Sequence, residues 1–323
     1  MARKMGYACG KVILSGNTAN RFGKRALAVP VDMYIAAIWD ASDNTQDGLR
    51  IIWLEQEEDG AWLTTARKII KLVEAQIGRV SGKLIIHNTL PLGKGMGSST
   101  AIVVALARCF LGEDRKEEAL AIEDIINKGH SGLDFAAIWE ERPIVIQGTK
   151  YEFIDLPKQL QNGFLVDTGL PAAPTSIIIH RLKERLLKEK VLMDSVDSIG
   201  NCTERLLSGE DPLTVFPDHC KGLVDLGVVP PRVRSLIERI QRSGGAAKPG
   251  RFGWATGGVG MVFAVHPNVS VLKKIIGSAS FSLVYDASRR RFITAPQDTD
   301  ENHPKPLQAI GVRLRQTSIT VQP

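Results

Sequence analysis

Three glycines at alternate positions, followed by three hydroxyl side chains and an apolar stretch, form the segment of this 323-residue sequence that is best suited to binding an anion. Glycine lets the backbone come close to oxygen atoms, and the free amides at the start of a helix attract negative charge. The hydroxyl groups can cap that helix or bind a phosphate or Mg²⁺. The segment is neither a Walker A motif nor a dinucleotide fingerprint, and by itself it fits a serine-capped turn equally well. Its residues are Gly93, Lys94, Gly95, Met96, Gly97, Ser98, Ser99 and Thr100.

The surrounding residues 91–101 resemble the P-x-G-x-G-L-G-S-S-A-A loop of the GHMP kinases, the superfamily of galactokinase, homoserine kinase, mevalonate kinase and phosphomevalonate kinase. Residues 10–16 and 23–28 resemble the P-G-K-V-I-L-F-G-E-H…G-K-P-A-L-A start of mevalonate kinases, and residues 130–134 resemble the P-S-G-x-D segment. Several motifs in the expected order are much more specific than one. The resemblance implies ATP-dependent phosphorylation of a small alcohol, and its strongest form implies conversion of mevalonate to 5-phosphomevalonate in isoprenoid precursor synthesis.

The resemblance also implies a role for each charged candidate. Lys11 matches the catalytic lysine, and Asp134 matches the general base that takes the proton of the acceptor hydroxyl. Ser99 and Glu123, which lies eleven residues before Asp134, match the oxygen ligands of Mg²⁺, and residues 93–100 match the loop that binds the phosphates of ATP. A lysine and a carboxylate beside Mg²⁺ supply the positioning and charge neutralisation that phosphoryl transfer needs. Taken alone, Lys11 fits a surface lysine and Asp134 a turn-capping aspartate.

Four residues are implied as contacts of the acceptor. Thr168 and Thr175 lie in segments that resemble the D-T-G…S-T-K pattern of mevalonate kinases. Asn17 and Thr18 stand where mevalonate kinases have a glutamate and a histidine. This exchange leaves open a sister activity on phosphomevalonate or a sugar, and also a non-catalytic ATP-binding relative.

A second glycine-rich segment lies near the C-terminus. Together with Lys248 it resembles the A-K-x-T-G-A-G-G-G-G-C loop that packs by the ATP phosphates in this family. A glycine-rich hairpin fits the same residues equally well. Its glycines are Gly253, Gly257, Gly258 and Gly260.

The elements that must position these residues follow from hydrophobic periodicity. Short β-rich runs predict strands, and apolar residues at three- and four-residue spacing predict helices. Strands are predicted at residues 10–14, 25–32, 34–39, 49–55, 83–88, 143–147, 163–167, 261–266, 281–285 and, as a final edge strand, 317–321. Helices are predicted at residues 63–77, 98–111, 117–128, 176–190, 191–207 and 232–242.

This order of elements predicts an α+β fold, because strands and helices do not alternate strictly. The chain length favours two lobes that share a cleft. We expect an N-terminal ATP-binding lobe at residues 1–160 and a C-terminal lobe at residues 161–323, with the active site between them. The resemblance implies the two-lobed GHMP kinase fold, with a ribosomal protein S5 domain 2-like first lobe and a ferredoxin-like second lobe.

Composition narrows the classes of partner. The formal net charge of +6 suits polyphosphate ligands, but the basic residues are dispersed, and the one dense run, Arg289 to Arg291, fits a solvated strand edge. No aromatic residues interleave with the basic ones, which disfavours nucleic acid. Four scattered cysteines predict no disulfide and a cytoplasmic location, and no apolar segment is long enough for a signal peptide or a membrane span. The expected partners are ATP and a small alcohol, and the resemblance suggests a homodimer.

Overall fold

The computed structural model describes residues 3–17, 19–43, 48–55, 60–173, 175–253 and 256–286. Within these ranges the chain has two β-sheets and the helices that cover them, which confirms the α+β prediction. The basic run at 289–291 and the edge strand predicted at 317–321 lie outside the described residues.

The first sheet forms from the N-terminal half of the chain. Its strand order is β3-β4-β2-β5-β6, and β1 pairs with β2 in antiparallel orientation. The predicted strands 25–32 and 34–39 are one continuous strand: Cys9 pairs with Tyr34 and Gly10 with Val31, so the two residues between them on β2 form a bulge and pairing with β1 continues on both sides. The strands are β1 (Lys4–Ser15), β2 (Ala26–Asp40), β3 (Leu49–Trp53), β4 (Gly82–Asn88), β5 (Ile144–Gln147) and β6 (Lys150–Phe153).

Four helices accompany this sheet, with α2 at their centre. Helix α2 packs on β1 and β2 and contacts the other three helices. Every residue of α2 except Ser99 is buried, as the largely apolar run after the glycines predicts. The short α4 was not predicted from periodicity, because its eight residues are too few to show a clear helical repeat. The helices are α1 (Ala61–Ile77), α2 (Ser98–Phe110), α3 (Lys116–Ile126) and α4 (Leu133–Glu140).

The second sheet has the strand order β10-β7-β9-β8, with every neighbouring pair antiparallel. This is the ferredoxin-like arrangement: in the described part of the chain, four helices occupy the connection from its first strand to its second, the second strand leads to the third without a helix, and one helix occupies the connection from the third to the fourth. The strands are β7 (Phe164–Asp167), β8 (Ala246–Pro249), β9 (Met261–Val265) and β10 (Ser282–Asp286). The helices are α5 (Thr175–Lys188), α6 (Val191–Leu207), α7 (Pro212–Asp225), α8 (Pro231–Arg242) and α9 (Val269–Ser278).

Helix α7 was missed in the sequence because Pro217 lies inside it. Its start nevertheless carries clear signals: Asp211 caps the helix by accepting a hydrogen bond from the main-chain N–H of Leu213 at 2.8 Å, and Pro212 occupies the first turn. Helix α7 then places Phe216 against Phe263 of the second sheet.

One apolar cluster runs through both sheets and joins them. It includes Leu14 and Leu27 of the first sheet and Phe216 and Phe263 from the second half of the chain. All four cysteines are buried free thiols. None of the described helices is long and apolar enough to cross a bilayer.

Candidate active site

A cavity of about 940 Å³ opens where the two halves of the chain meet. Its walls come from the glycine-rich loop at 93–100, the end of β1, the connection from α3 to α4, helix α5 and residues 250–252. Segments that are far apart in the sequence thus face one space. The size is that of a small-molecule site.

The glycine-rich loop has the conformation that its sequence predicts. Gly93, Gly95 and Gly97 have φ values of 73°, 83° and 77°, and α2 begins at the next residue, Ser98. The Ser98 hydroxyl closes the loop by donating to the carbonyl of Pro91 and accepting from the N–H of Gly93, both at 3.2 Å. Ser98 therefore shapes the loop, and the amides at the start of α2 remain for an anion.

We expect Gly97→Ala to destabilise the chain more than the same change at another positive-φ glycine. A Cβ atom at Gly97 would lie 2.7 Å from Cδ1 of Ile138, whereas one at Gly23, where φ is 80°, would meet nothing within 4 Å. The left-handed conformation costs both alanines roughly 1–2 kcal/mol, and the clash adds about 1–3 kcal/mol at Gly97 alone. Urea denaturation of both variants measures the difference, and equal losses would contradict the packing of the loop on α4.

Lys11 and Asp134 meet beside this loop. Lys11 lies on β1 with its side chain 4% exposed, and its Nζ is 2.9 Å from Oδ1 of Asp134. The same Nζ donates to the carbonyl of Gly95 at 3.1 Å. Asp134 lies in the first turn of α4, where the helix dipole favours a carboxylate, and its side chain is 37% exposed toward the cavity. A buried ammonium thus holds an accessible carboxylate against the glycine-rich loop.

A second cluster of oxygen atoms lies at the wall formed by α3. Glu123 is fully buried, and its two carboxylate oxygens accept hydrogen bonds from the Thr100 hydroxyl at 2.7 Å and the Asn127 amide at 2.9 Å. The Ser99 hydroxyl donates to Oδ1 of Asn127 at 2.8 Å. Burial raises the pKa of Glu123, and the hydrogen bonds from Thr100 and Asn127, together with the nearby His130, offset that shift only in part. Asn127 follows Glu123 by four residues, about one helical turn, and therefore lies on the same side of the helix end. The sequence did not identify it as a site residue.

These atoms fit Mg²⁺ by their chemistry. Ser99, Glu123 and Asn127 all offer oxygen, the ligand that hard divalent cations prefer. Among the residues that the structure describes, no group of three or more His, Cys, Asp or Glu side chains converges on one point. Mg²⁺ needs only one or two protein ligands when phosphates and water complete its shell, so the predicted pair remains sufficient. The neighbouring Asp124 points elsewhere and contacts His130 at 2.7 Å.

Two arginines in the cavity wall were not identified in the sequence. Arg251 donates to the carbonyl of Gly93 at 2.9 Å, and Arg21 donates to that of Gly129 at 3.3 Å. Burial lowers the pKa of both guanidinium groups, and the Asp134 charge opposes that shift in each. Lone arginines carry no recognisable spacing, so the sequence offered no signal for either.

Lys94 contributes its backbone rather than its side chain to the loop. Its Nζ pairs with Oδ1 of Asp167 at 3.1 Å, and its side chain is not part of the cavity wall. Its carbonyl accepts a hydrogen bond from the N–H of Met261 at 3.0 Å. The end of the second glycine-rich segment therefore packs against the first, and residues 254 and 255 lie outside the described part.

The predicted acceptor contacts are only partly brought together. Asn17 lines the cavity, and neither polar atom of its side-chain amide has a hydrogen-bond partner among the described residues. Asn20 lies beside it with an equally unpartnered Nδ2. Thr168 is held elsewhere: its hydroxyl donates to the carbonyl of Gly260 at 2.8 Å and accepts from a neighbouring backbone amide, so it braces the second sheet. Thr18 and the side chain of Thr175 lie outside the described residues.

Comparison with known proteins finds a family model and a kinase that resemble this chain. Residues 64–139 match the model of the GHMP kinases N terminal domain. The chain is 26% identical to a mevalonate kinase from Pyrococcus furiosus over 306 residues, covering 81% of this chain and 88% of that protein.

Two solved structures share the fold. Mevalonate kinase from Methanococcus jannaschii has a TM-score of 0.72 at 16% identity, covering 87% of this chain and 97% of its own. Phosphomevalonate kinase from Streptococcus pneumoniae, in complex with phosphomevalonate and AMPPNP, has a TM-score of 0.64 at 18% identity, covering 87% and 98%. Kinases with different acceptors therefore share this architecture.

Proposed function

Since the chain carries a GHMP kinase N-terminal domain in a GHMP kinase fold and resembles mevalonate kinase over most of its length, we propose that it transfers the γ-phosphoryl group of ATP to a small alcohol. The first candidate acceptor is mevalonate, with 5-phosphomevalonate as the product. The observation that carries the proposal is the 2.9 Å contact between Lys11 and Asp134 beside the phosphate loop.

The loop at residues 93–100 binds the phosphates of ATP through its amides and the start of α2. Lys11 and Arg251, which border the loop, add positive charge on the cavity side. Ser99 and Glu123 would hold Mg²⁺, with Asn127 orienting both, and the cation would neutralise charge on the phosphates. The complex that the Streptococcus phosphomevalonate kinase forms with AMPPNP supports nucleotide binding in this fold.

Asp134 accepts the proton of the acceptor hydroxyl as the oxygen attacks the terminal phosphorus. Its carboxylate is accessible from the cavity, and Lys11 keeps it oriented. Lys11 also stabilises negative charge on the transferred group, and its burial makes that interaction stronger than it would be in water. A protein that only binds ATP has no need of such a base.

The acceptor binds at the end of the cavity that contains Asn17, Asn20 and Arg21. The unpartnered amides require hydrogen bonds from a ligand, and the guanidinium group suits a carboxylate or a phosphate. Mevalonate offers hydroxyls and a carboxylate. Phosphomevalonate carries a phosphate in addition to the carboxylate. A sugar carries hydroxyls that would form hydrogen bonds with the amides but no anion for the guanidinium group. Both remain the alternative acceptors.

Release of ADP tests the proposal, with mevalonate, phosphomevalonate and galactose assayed in parallel. We expect ADP formation to depend on mevalonate and to collapse in Asp134→Ala, which removes the base and leaves the loop intact. Faster turnover of one of the other two would reassign the acceptor within the same chemistry. Binding of ATP with no acceptor-dependent ADP would refute the proposed reaction and favour a non-catalytic ATP-binding protein.

A further inference from the structure

A buried lysine lies beneath the strand that carries Lys11. Lys248 belongs to β8, its side chain is fully buried, and its Nζ donates to the carbonyl of Ile13 at 2.7 Å. Ile13 is two residues after Lys11 on β1, so both side chains point to the same face of the strand and both line the cavity. The lysine from the second sheet thus holds the backbone immediately after the proposed catalytic residue.

This lysine has no acidic partner in the part of the chain that the structure describes. The titratable groups that act on it are Lys11 and the buried thiols of Cys202 and Cys220, and it acts in turn on the buried His219. Burial, reinforced by the Lys11 charge, lowers the pKa of Lys248 to about 7. A methionine would fill the same space without that penalty, so packing alone does not account for a lysine at this position.

Two further side chains fasten the same end of β1 to the second half of the chain. His219 of α7 accepts a hydrogen bond from the N–H of Gly16 at 3.4 Å, which requires its Nε2 to be unprotonated. Thr203 of α6 donates to the Ser15 hydroxyl at 2.9 Å. The segment that follows Lys11 is therefore fixed by three buried polar contacts from three different elements.

We propose that Lys248 is a positioning residue for Lys11: it holds the Ile13 carbonyl from beneath β1, and its charge favours the Lys11 conformer that reaches Asp134 and the phosphate loop. A Lys11 side chain that turned away from Asp134 toward the second sheet would approach a like charge in a dry environment. The inference rests on the proposed function, in which Lys11 acts on the transferred phosphoryl group.

The test is Lys248→Met, which keeps the volume of the side chain and removes the donor and the charge. Below about pH 7, where Lys248 is protonated, we expect kcat to fall about tenfold or more, with the KM for ATP within about threefold of wild type and no loss of thermal stability. The matched control is Lys274→Met, an exposed lysine on α9, which should leave kcat unchanged. A folded Lys248→Met chain with wild-type kcat would overturn the inference.

The pH dependence separates positioning from bulk packing. Between about pH 7 and pH 10.5, the pKa of lysine in the unfolded chain, the folded chain binds fewer protons at Lys248 than the unfolded chain does. The free energy of unfolding of wild type, relative to that of Lys248→Met, should therefore rise with pH over this interval. We also expect the kcat profile of wild type to contain an inflection near pH 7 that Lys248→Met removes. An identical profile in both proteins would contradict a role for this charge.

NMR of isotope-labelled lysines tests the inference without turnover. The Cε signal of Lys11 should shift as Lys248 titrates, and Lys248→Met should abolish that shift. If the variant fails to fold, the wild-type titration decides, and a Lys11 signal that ignores the titration of Lys248 would overturn the inference. A chain that phosphorylates no tested acceptor would refute the proposed function but leave this readout intact, so the two failures are distinguishable.

Discussion

Asp134→Asn is expected to lower kcat by a factor of about 10²–10⁴, the usual contribution of a positioned general base. Asparagine has nearly the same shape as aspartate, but its amide cannot take the proton of the acceptor hydroxyl. It also removes the carboxylate that pairs with the buried Lys11 in the described structure. Steady-state ADP release at saturating ATP and acceptor measures the loss, and ATP affinity, measured by calorimetry, should change little.

Asp124→Asn is the matched control for this prediction. Asp124 lies ten residues earlier, its side chain is 63% exposed, and its partner is His130 rather than Lys11. We expect its kcat to stay close to wild type. An Asp134→Asn variant that kept wild-type turnover would show that proton transfer does not pass through this carboxylate.

Lys11→Met is expected to lower kcat by about 10²–10³, the range seen when one group that stabilises transition-state charge is removed. Methionine preserves the packing of the aliphatic stem on β1, so the loss should come from charge rather than from unfolding. Lys4→Met, an exposed lysine on the same strand, provides the control. Rapid-quench measurement of the chemical step reports the change directly.

The two variants should not be additive. Lys11 and Asp134 are in direct contact. When two residues act as a unit, the double substitution lowers kcat by less than the product of the two single reductions. A double variant whose loss equals that product would mean that the two side chains act independently, contrary to the pairing described above.

Local signals in the sequence predicted the parts of the site that depend on local backbone. The alternate glycines at 93, 95 and 97 have the positive φ that their spacing indicates, and the apolar run after them is the buried helix α2. Lys11 and Asp134, identified by resemblance, lie together. That contact depends on β1, α2 and α4 packing on one another, which no property of either residue could indicate.

The remaining features depend on tertiary contacts that periodicity does not encode. Lys94 turns to Asp167, and Thr168 bonds to backbone, because the second sheet brings those partners close. Asn127 forms hydrogen bonds with both Glu123 and Ser99, which belong to two different helices that meet only in the folded chain. Helix α7 was not predicted because an internal proline usually ends or kinks a helix, whereas this packed helix accommodates Pro217.

Transfer of a radiolabelled γ-phosphoryl group from ATP to mevalonate, followed through a single turnover with wild type and Asp134→Asn, measures the proposed chemistry most directly. We predict labelled phosphomevalonate from wild type and a rate about 10²–10⁴ lower in the variant. Labelled product at equal rates from both proteins, or none from wild type with any of the three acceptors while ATP remains bound, would contradict a phosphoryl-transfer site built on Lys11 and Asp134.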